Sequence, residues 1–159
     1  MSWKNDPAFV ARIAAAPAWM LDVDGCIVRT AKAGGTGGVP IEGAIDFLPW
    51  LRAAGKKVII CTNASQRPVA HYAAHLRKIG LDVPDAEMIT ASTAAADHIL
   101  RVHGAGPVVA LGDDGIHQAL AEAGVRIVKA NEVPVAVVVA AADTYASADI
   151  NAACLAIAD

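Results

Sequence analysis

The sequence is poor in charge, in cysteine and in long apolar runs, and each shortage excludes something. Charged residues make up 18% of the 159 positions against 55% hydrophobic, so the chain has the material for a globular core and lacks the composition of a disordered segment. Basic charge is not in excess: 13 Lys and Arg stand against 16 Asp and Glu, a formal net charge of −3. That balance argues against nucleic-acid binding through charge. The longest apolar run, Val135 to Ala142, is far too short to span a bilayer, so no membrane partner is expected. The three cysteines, Cys26, Cys61 and Cys154, are odd in number and follow no spacing pattern; they fit a reducing, cytoplasmic setting better than a disulfide framework. Phe9 to Leu21, with Lys4 ahead of it and Ala16-Pro17-Ala18 inside it, has the outline of a secretory signal. Arg12 interrupts it, and cleavage there would remove a strand, so the stretch is read as part of the fold. There is no internal repeat, and the length suits one good core or two small domains.

What is present is an alternation of short apolar runs and helical patterns. Asn5 and Asp6 before Pro7 predict a helix start, and that helix ends before Pro17. A strand follows to Asp22. After the glycine-rich stretch Gly34 to Pro40, a helix is predicted over 42–54, with Ile45, Leu48 and Leu51 on one side and Gly55 as its cap. Lys57 to Cys61 reads as a buried strand ending at Thr62-Asn63. A strand-helix-strand unit of this length predicts a right-handed crossover and parallel strands. Beyond it, Pro68 starts a helix ending near Gly80, and Met88 to Thr90 is a short strand. A helix from Ser92 to Val102 has Ser92 and Thr93 as candidate caps. Strands at 108–111, 126–128 and 135–140 and helices at 116–123 and 149–157 complete the pattern.

Asp22-Val23-Asp24-Gly25 stands out. An apolar run that stops at two acids and a glycine reads as a buried strand ending at a functional edge, because sites in open α/β sheets gather at the carboxyl ends of strands. Two carboxylates one residue apart share a face, so one is placed to attack and the other to move a proton. A plain turn carrying two solvated acids is the competing reading of the tetrapeptide alone. Thr62-Asn63 ends a second strand forty residues on. If the two strands are neighbours, a hydroxyl and backbone N–H groups converge beside two carboxylates, an arrangement suited to a phosphoryl group. Close like charges call for a cation, and hard oxygen donors select Mg²⁺.

Together, Asp22-Val23-Asp24-Gly25, Pro40-Ile41-Glu42-Gly43-Ala44 and Thr62-Asn63-Ala64-Ser65 resemble the haloacid dehalogenase (HAD) superfamily of hydrolases, and within it the NagD-like, p-nitrophenylphosphatase-type branch. The resemblance runs on through His71-Tyr72 and Leu76 to Gly80 and reaches Asp143-Thr144-Tyr145. It implies a Rossmann-like parallel-sheet core over 1–91 and an inserted α/β cap of the C2 type over 92–159. It also implies that Asp22 is the nucleophile, that Asp24 is the general acid/base, and that both serve Mg²⁺, Asp24 through its backbone carbonyl. Thr62 would bind the transferring phosphoryl group with help from Asn63. The implied activity is Mg²⁺-dependent hydrolysis of a small phosphorylated metabolite, and a homo-oligomer is compatible with it. Two other readings stand beside it: a catalytically incomplete module for binding or assembly, and a mutase-like phosphotransferase using the same aspartate.

Two further motifs of that superfamily are not found: a lysine facing the nucleophile and a late acidic pair. Gly112-Asp113-Asp114-Gly115 looks like the latter, but no aspartate lies four or five residues beyond Asp114, so it is read as a decoy in the cap. Lys56 and Lys57 enter their strand at the wrong end, Lys129 lies in the cap, and Lys32 is a weak substitute. The expectation is a half-built core with an exposed apolar edge and face. Several weaker signals receive plain readings. His71 and His75 lack the zinc-protease pattern and are expected to be exposed or capping. The glycine run lacks the Gly-Lys-Ser/Thr of a phosphate loop and is expected to be a flap. Trp3, Trp19 and Trp50 are expected in packing roles. Asp143 and Tyr145 are expected to stabilise the cap.

Overall fold

Apolar runs that end in polar residues build two separate parallel sheets. The computed structural model describes residues 6–30, 38–129 and 132–158. Along the chain run α1 (Pro7–Ala15), β1 (Ala18–Asp22), β2 (Val28–Arg29), β3 (Val39–Pro40), α2 (Ala44–Ala53), β4 (Lys57–Thr62), α3 (Val69–Lys78), a 3₁₀ turn (Asp85–Glu87), β5 (Met88–Thr90), α4 (Ala91–His103), β6 (Pro107–Leu111), α5 (Asp114–Glu122), β7 (Arg126–Ile127), β8 (Ala136–Val139) and α6 (Ser147–Ala158). The first sheet has the order β1-β4-β5 and the second β7-β6-β8, with every pairing parallel. The mixed α/β architecture with parallel strands is the one the alternating pattern predicts.

The first sheet is built from one face only. Trp19 and Leu21 of β1 pair in register with Val58 and Ile60 of β4, and Ile60 with Met88 of β5. Leu21, Val58, Ile60 and Met88 join Leu48 and Leu51 of α2 and Ala73 and Leu76 of α3 in one buried cluster. Burying a leucine such as Leu48 or Leu51 fully contributes about 1.5–3 kcal/mol. The alternate residues point the other way, as strand geometry requires. Ala18, Met20 and Asp22 are exposed there, Ile59, Cys61 and Ile89 are only half-buried, and Met20 is 67% exposed. No residue of that face enters the buried cluster. Parallel sheets are ordinarily covered on both faces; among the described residues this face and the outer edge of β1 have no covering element, so an apolar face and edge lie exposed as expected.

The second sheet has its own buried cluster, in which Val108 of β6 packs with Ile116, Ala119 and Leu120 of α5 and with Ala96 and Ile99 of α4. α4 therefore packs with the second unit although it follows β5 of the first without a break.

Several boundaries differ from the sequence reading. α2 begins at Ala44, not Glu42, because Gly43 sits at φ 84°, outside helical space. Ile45 is 47% exposed: it lies at the rim, its side chain against Gly80. α4 is capped by Thr90, whose hydroxyl accepts from the Thr93 N–H while the Thr93 hydroxyl accepts from the Thr90 N–H. Ser92 is no cap; its hydroxyl donates 2.9 Å to the Ser65 carbonyl. α5 begins at Asp114, two residues before the expected Ile116. The hairpin β2–β3 was not foreseen. Trp19 meets Phe47 edge-on, but Trp50, stacked on the same ring, is 61% exposed and not a core residue. Trp3, Asn5, Lys32 and Gly34 to Gly37 lie outside the described residues. Arg52 ties α2 to the far end of the sheet through Glu87 and Asp82. Its guanidinium is held above its usual pKa, first by the hydrogen bond to Glu87, with burial acting against it.

Candidate active site

Parallel pairing fixes where the chemistry-bearing residues lie. Asp22 is the last residue of β1 and stands opposite Cys61, so Thr62, the last residue of β4, ends at the same edge of the sheet. Beyond Asp22 the chain turns tightly: the N–H groups of Cys26, Ile27 and Val28 all point to the Val23 carbonyl, and Gly25 takes φ 80° to allow it. This turn returns Val28 beside Asp24, where the two form an isolated bridge. The Thr30 hydroxyl donates 2.8 Å to Asp24 Oδ1. Asp22 is exposed and Asp24 half-buried. The simple solvated-turn reading therefore does not describe Asp24, whose carboxylate is oriented by a neighbour.

Thr62 is buried, 6% exposed, and its hydroxyl accepts 3.2 Å from the Ala64 N–H. Asn63 is exposed. The loop that follows is pinned from several sides. The Ala64 carbonyl accepts from the Ala91 N–H (3.2 Å), the Ser65 hydroxyl accepts from the Ala141 N–H (3.0 Å), the Gln66 carbonyl accepts from the Gly115 N–H (3.0 Å), and the Arg67 N–H donates to the Tyr72 hydroxyl (3.1 Å). Gly115 is required there, since a Cβ would lie 2.3 Å from the Ser65 carbonyl oxygen. The Gln66 amide donates to Asp143 Oδ1 at 3.0 Å and to Asp113 Oδ2 at 3.5 Å.

Gly112-Asp113-Asp114-Gly115 thus acts as an anchor for this loop. Asp113 stands at the N-cap position of α5, and Asp114, in its first turn, lies 4.0 Å from Arg67. Asp143 holds Gln66, and the Tyr145 hydroxyl donates to the Ala140 carbonyl. Gln66 carried no sequence signal, because a lone amide in a loop resembles any solvated one.

Lys56 is spent at the opposite pole, its Nζ donating 2.8 Å to the Ala14 carbonyl at the amino end of β4. Lys129 is exposed in the second unit, where it lines a cleft of about 920 Å³ with His117 and Asp149. None of Asp22, Asp24, Thr62 and Asn63 lines that cleft. A far smaller cavity, about 20 Å³, does reach the site: Asp24, Thr30, Thr62, Tyr72 and His75 form its polar lining. His71 is exposed as expected, but His75 is half-buried with its Nε2 shut off from solvent. Cys26 and Cys154 are exposed, Cys61 is half-buried, and all three are free thiols.

For a divalent cation, Asp22 and the Asp24 backbone carbonyl are hard oxygen donors. Mg²⁺ commonly takes only one or two carboxylates and fills its octahedron with water and phosphate oxygens, so these donors fit it as part of a shell. Among the described residues no group of three or more His, Cys, Asp or Glu is placed to hold a metal ion.

A parallel sheet with acids and a hydroxyl at the carboxyl ends of adjacent strands defines an α/β protein whose candidate site lies where such folds bind ligands. The model of the haloacid dehalogenase-like hydrolase family matches residues 19–126, and the chain belongs to that family. It is 34% identical over 95 residues to a phospholysine phosphohistidine inorganic pyrophosphate phosphatase of Xenopus laevis, covering 60% of this chain and 34% of that protein. Its fold superposes on a p-nitrophenyl phosphatase from Archaeoglobus fulgidus with TM-score 0.76 and 26% identity, covering 90% of this chain and 52% of that one. A glycerol phosphate phosphatase of Mycobacterium tuberculosis in complex with magnesium gives TM-score 0.78 at 25% identity over 91% of this chain and 42% of the other. The chain thus spans about half the length or less of the proteins it matches. The family and its p-nitrophenylphosphatase-type branch are those the motifs implied.

Proposed function

We propose that the chain carries the nucleophile and phosphate-binding part of a Mg²⁺-dependent phosphomonoesterase site, acting on small phosphorylated metabolites through an aspartyl-phosphate. The observation that carries this reading is the β1–β4 register, which sets Asp22 and Thr62 at one sheet edge. The relatives' names, phosphatases throughout those compared, support it. We also propose residues 1–91 as the core part and 92–159 as the cap part; the two buried clusters support that division.

In the reaction, an Asp22 carboxylate oxygen attacks phosphorus and the bond from phosphorus to the ester oxygen breaks. Asp24, oriented by Thr30, gives its proton to the leaving alkoxide. The Asp24 carboxylate then takes a proton from water, whose oxygen attacks the same phosphorus. The bond between phosphorus and Asp22 breaks and releases inorganic phosphate. Thr62 and the adjoining backbone N–H groups hold the equatorial oxygens. Asp22 and the Asp24 carbonyl would hold Mg²⁺, which when bound would neutralise the phosphoryl charge. The Gln66 anchor holds the loop carrying Asn63 in place for this role.

The test is Mg²⁺-dependent release of phosphate from p-nitrophenyl phosphate, with beryllofluoride binding as a readout independent of turnover. Beryllofluoride with Mg²⁺ is expected to shift the amide signals near Asp22 and Thr62, and Asp22→Asn to abolish both that response and hydrolysis. Hydrolysis retained in Asp22→Asn removes the assignment. The reading of a catalytically incomplete module is favoured by one observation: Lys56, beside β4, is spent at the pole opposite the acids, on the Ala14 carbonyl. Beryllofluoride binding without turnover would favour it.

A further inference from the structure

His75 Nε2 is buried and has no hydrogen-bond partner among the described residues. An unpaired polar atom inside a protein is costly and rare. His75 lines the cavity of about 20 Å³ beneath the carboxyl ends of β1 and β4, together with Asp24, Thr30, Thr62 and Tyr72. A site holds one water when it offers about 10–15 Å³ or more and two to four polar partners; this cavity meets both conditions. The Thr62 hydroxyl accepts from Ala64 and the Tyr72 hydroxyl accepts from Arg67, yet each still carries a proton to donate. Val28, Leu76 and Met88, all buried, close the apolar part of the lining.

We propose that one buried water occupies this cavity and joins His75 Nε2 to the Thr62 hydroxyl and the Asp24–Thr30 pair, making His75 a positioning residue for the edge of the sheet. α3 thereby gains a polar link to both strand ends, in addition to its apolar contacts with the core. Water-mediated bonds of this kind are nearly as favourable as direct ones and hold side chains in one orientation. The consequence for catalysis rests on the proposed function; the water and its three-sided link do not.

The test uses the 159-residue chain. Nuclear magnetic resonance is expected to detect a long-lived water beside the His75 ring. His75→Phe should erase that signal and shift the amides of Asp24, Thr62 and Ala64 across the cavity, whereas His75→Gln, which keeps a polar atom, should retain the water and leave those amides near their wild-type positions. Where His75→Phe does not fold, a high-resolution crystal structure of the wild type decides: a single water at about 2.7–3.2 Å from both Nε2 and the Thr62 hydroxyl is expected. A dry cavity, or shifts in His75→Phe confined to α3, overturns the proposal. In a form that turns over substrate, His75→Phe is expected to lower kcat about tenfold with KM little changed, and His75→Gln to recover most of it. Failure of the wild type to release phosphate counts against the proposed function, and absence of the water counts against this inference alone.

Discussion

The two three-stranded parallel sheets carry nearly the same sequence signal and put it to opposite uses. In the first, an apolar run stops at Asp22-Val23-Asp24-Gly25; in the second, at Gly112-Asp113-Asp114-Gly115. Both pairs of acids lie at or just beyond the carboxyl end of a strand. The acids of the second unit reach for the first: Asp113 and Asp143 hold the Gln66 amide, and Asp114 lies beside Arg67. The acids of the first unit are turned to the sheet edge, with Asp22 exposed and Asp24 oriented by Thr30. Two acids after a strand therefore mark an edge and do not by themselves mark chemistry. What faces them decides.

The sharpest way to break that contrast is to neutralise one acid from each pair. Asp22→Asn should lower phosphate release by about 10³-fold or more, as loss of a nucleophile does. Asp113→Asn, read by the same assay, should stay within about threefold; comparable losses would erase the distinction. The two faces of the first sheet make a second contrast. Leu48→Ala, at a fully buried position, should destabilise by about 2–5 kcal/mol in urea unfolding. Met20→Ala, on the open face, should change stability by less than about 0.5 kcal/mol, and a large loss would mean that this face is covered in solution.

The junction between the units supplies a third. Gly115→Ala forces a methyl towards the Ser65 carbonyl and should cost about 1–3 kcal/mol; a neutral result would show that the two units yield to each other easily. Arg52 offers a smaller effect. Arg52→Met removes the bonds to Glu87 and Asp82 and should cost about 1–2 kcal/mol. The folded-state pKa of Arg52 is raised above its ordinary value, so its own contribution is fully present below that ordinary value and is lost only as pH rises through the folded pKa. The difference between wild type and Arg52→Met should show no slope from Arg52 ionisation across the neutral range; a slope there would place its origin in the acids. The smallest effect belongs to the Gln66–Asp143 bond, for which a double-mutant cycle should return about 0.5–1 kcal/mol.

Much of this was legible in the chain. Asp6 caps α1 as its position before Pro7 predicts, with its carboxylate accepting from the N–H groups of Ala8 and Phe9. The runs ending at Asp22 and Thr62 are neighbouring parallel strands. Boundaries slipped where one residue's backbone overrode the periodic pattern, as Gly43 does at the start of α2. Strands of two residues, such as β2 and β3, carry no period and gave no signal. Trp50 read as a core or helix-packing residue and Ile45 as part of the apolar side of its helix, because an apolar residue on a helix face looks the same whether or not another element covers it. His75 read as exposed because nothing local reveals that Leu76, Met88 and the ends of β1 and β4 enclose its cavity.

By itself the sequence determined element type, the parallel alternation and the identity of Asp22, Asp24, Thr62 and Asn63 as the residues to follow, because periodicity, caps and strand-end acids are local properties of the backbone and its neighbours. Tertiary structure alone decided which acids face an open edge and which are tied across the junction, which face of the first sheet is buried, and that His75 lies beneath the site. Those outcomes depend on contacts between residues far apart in the chain, and no local pattern records them.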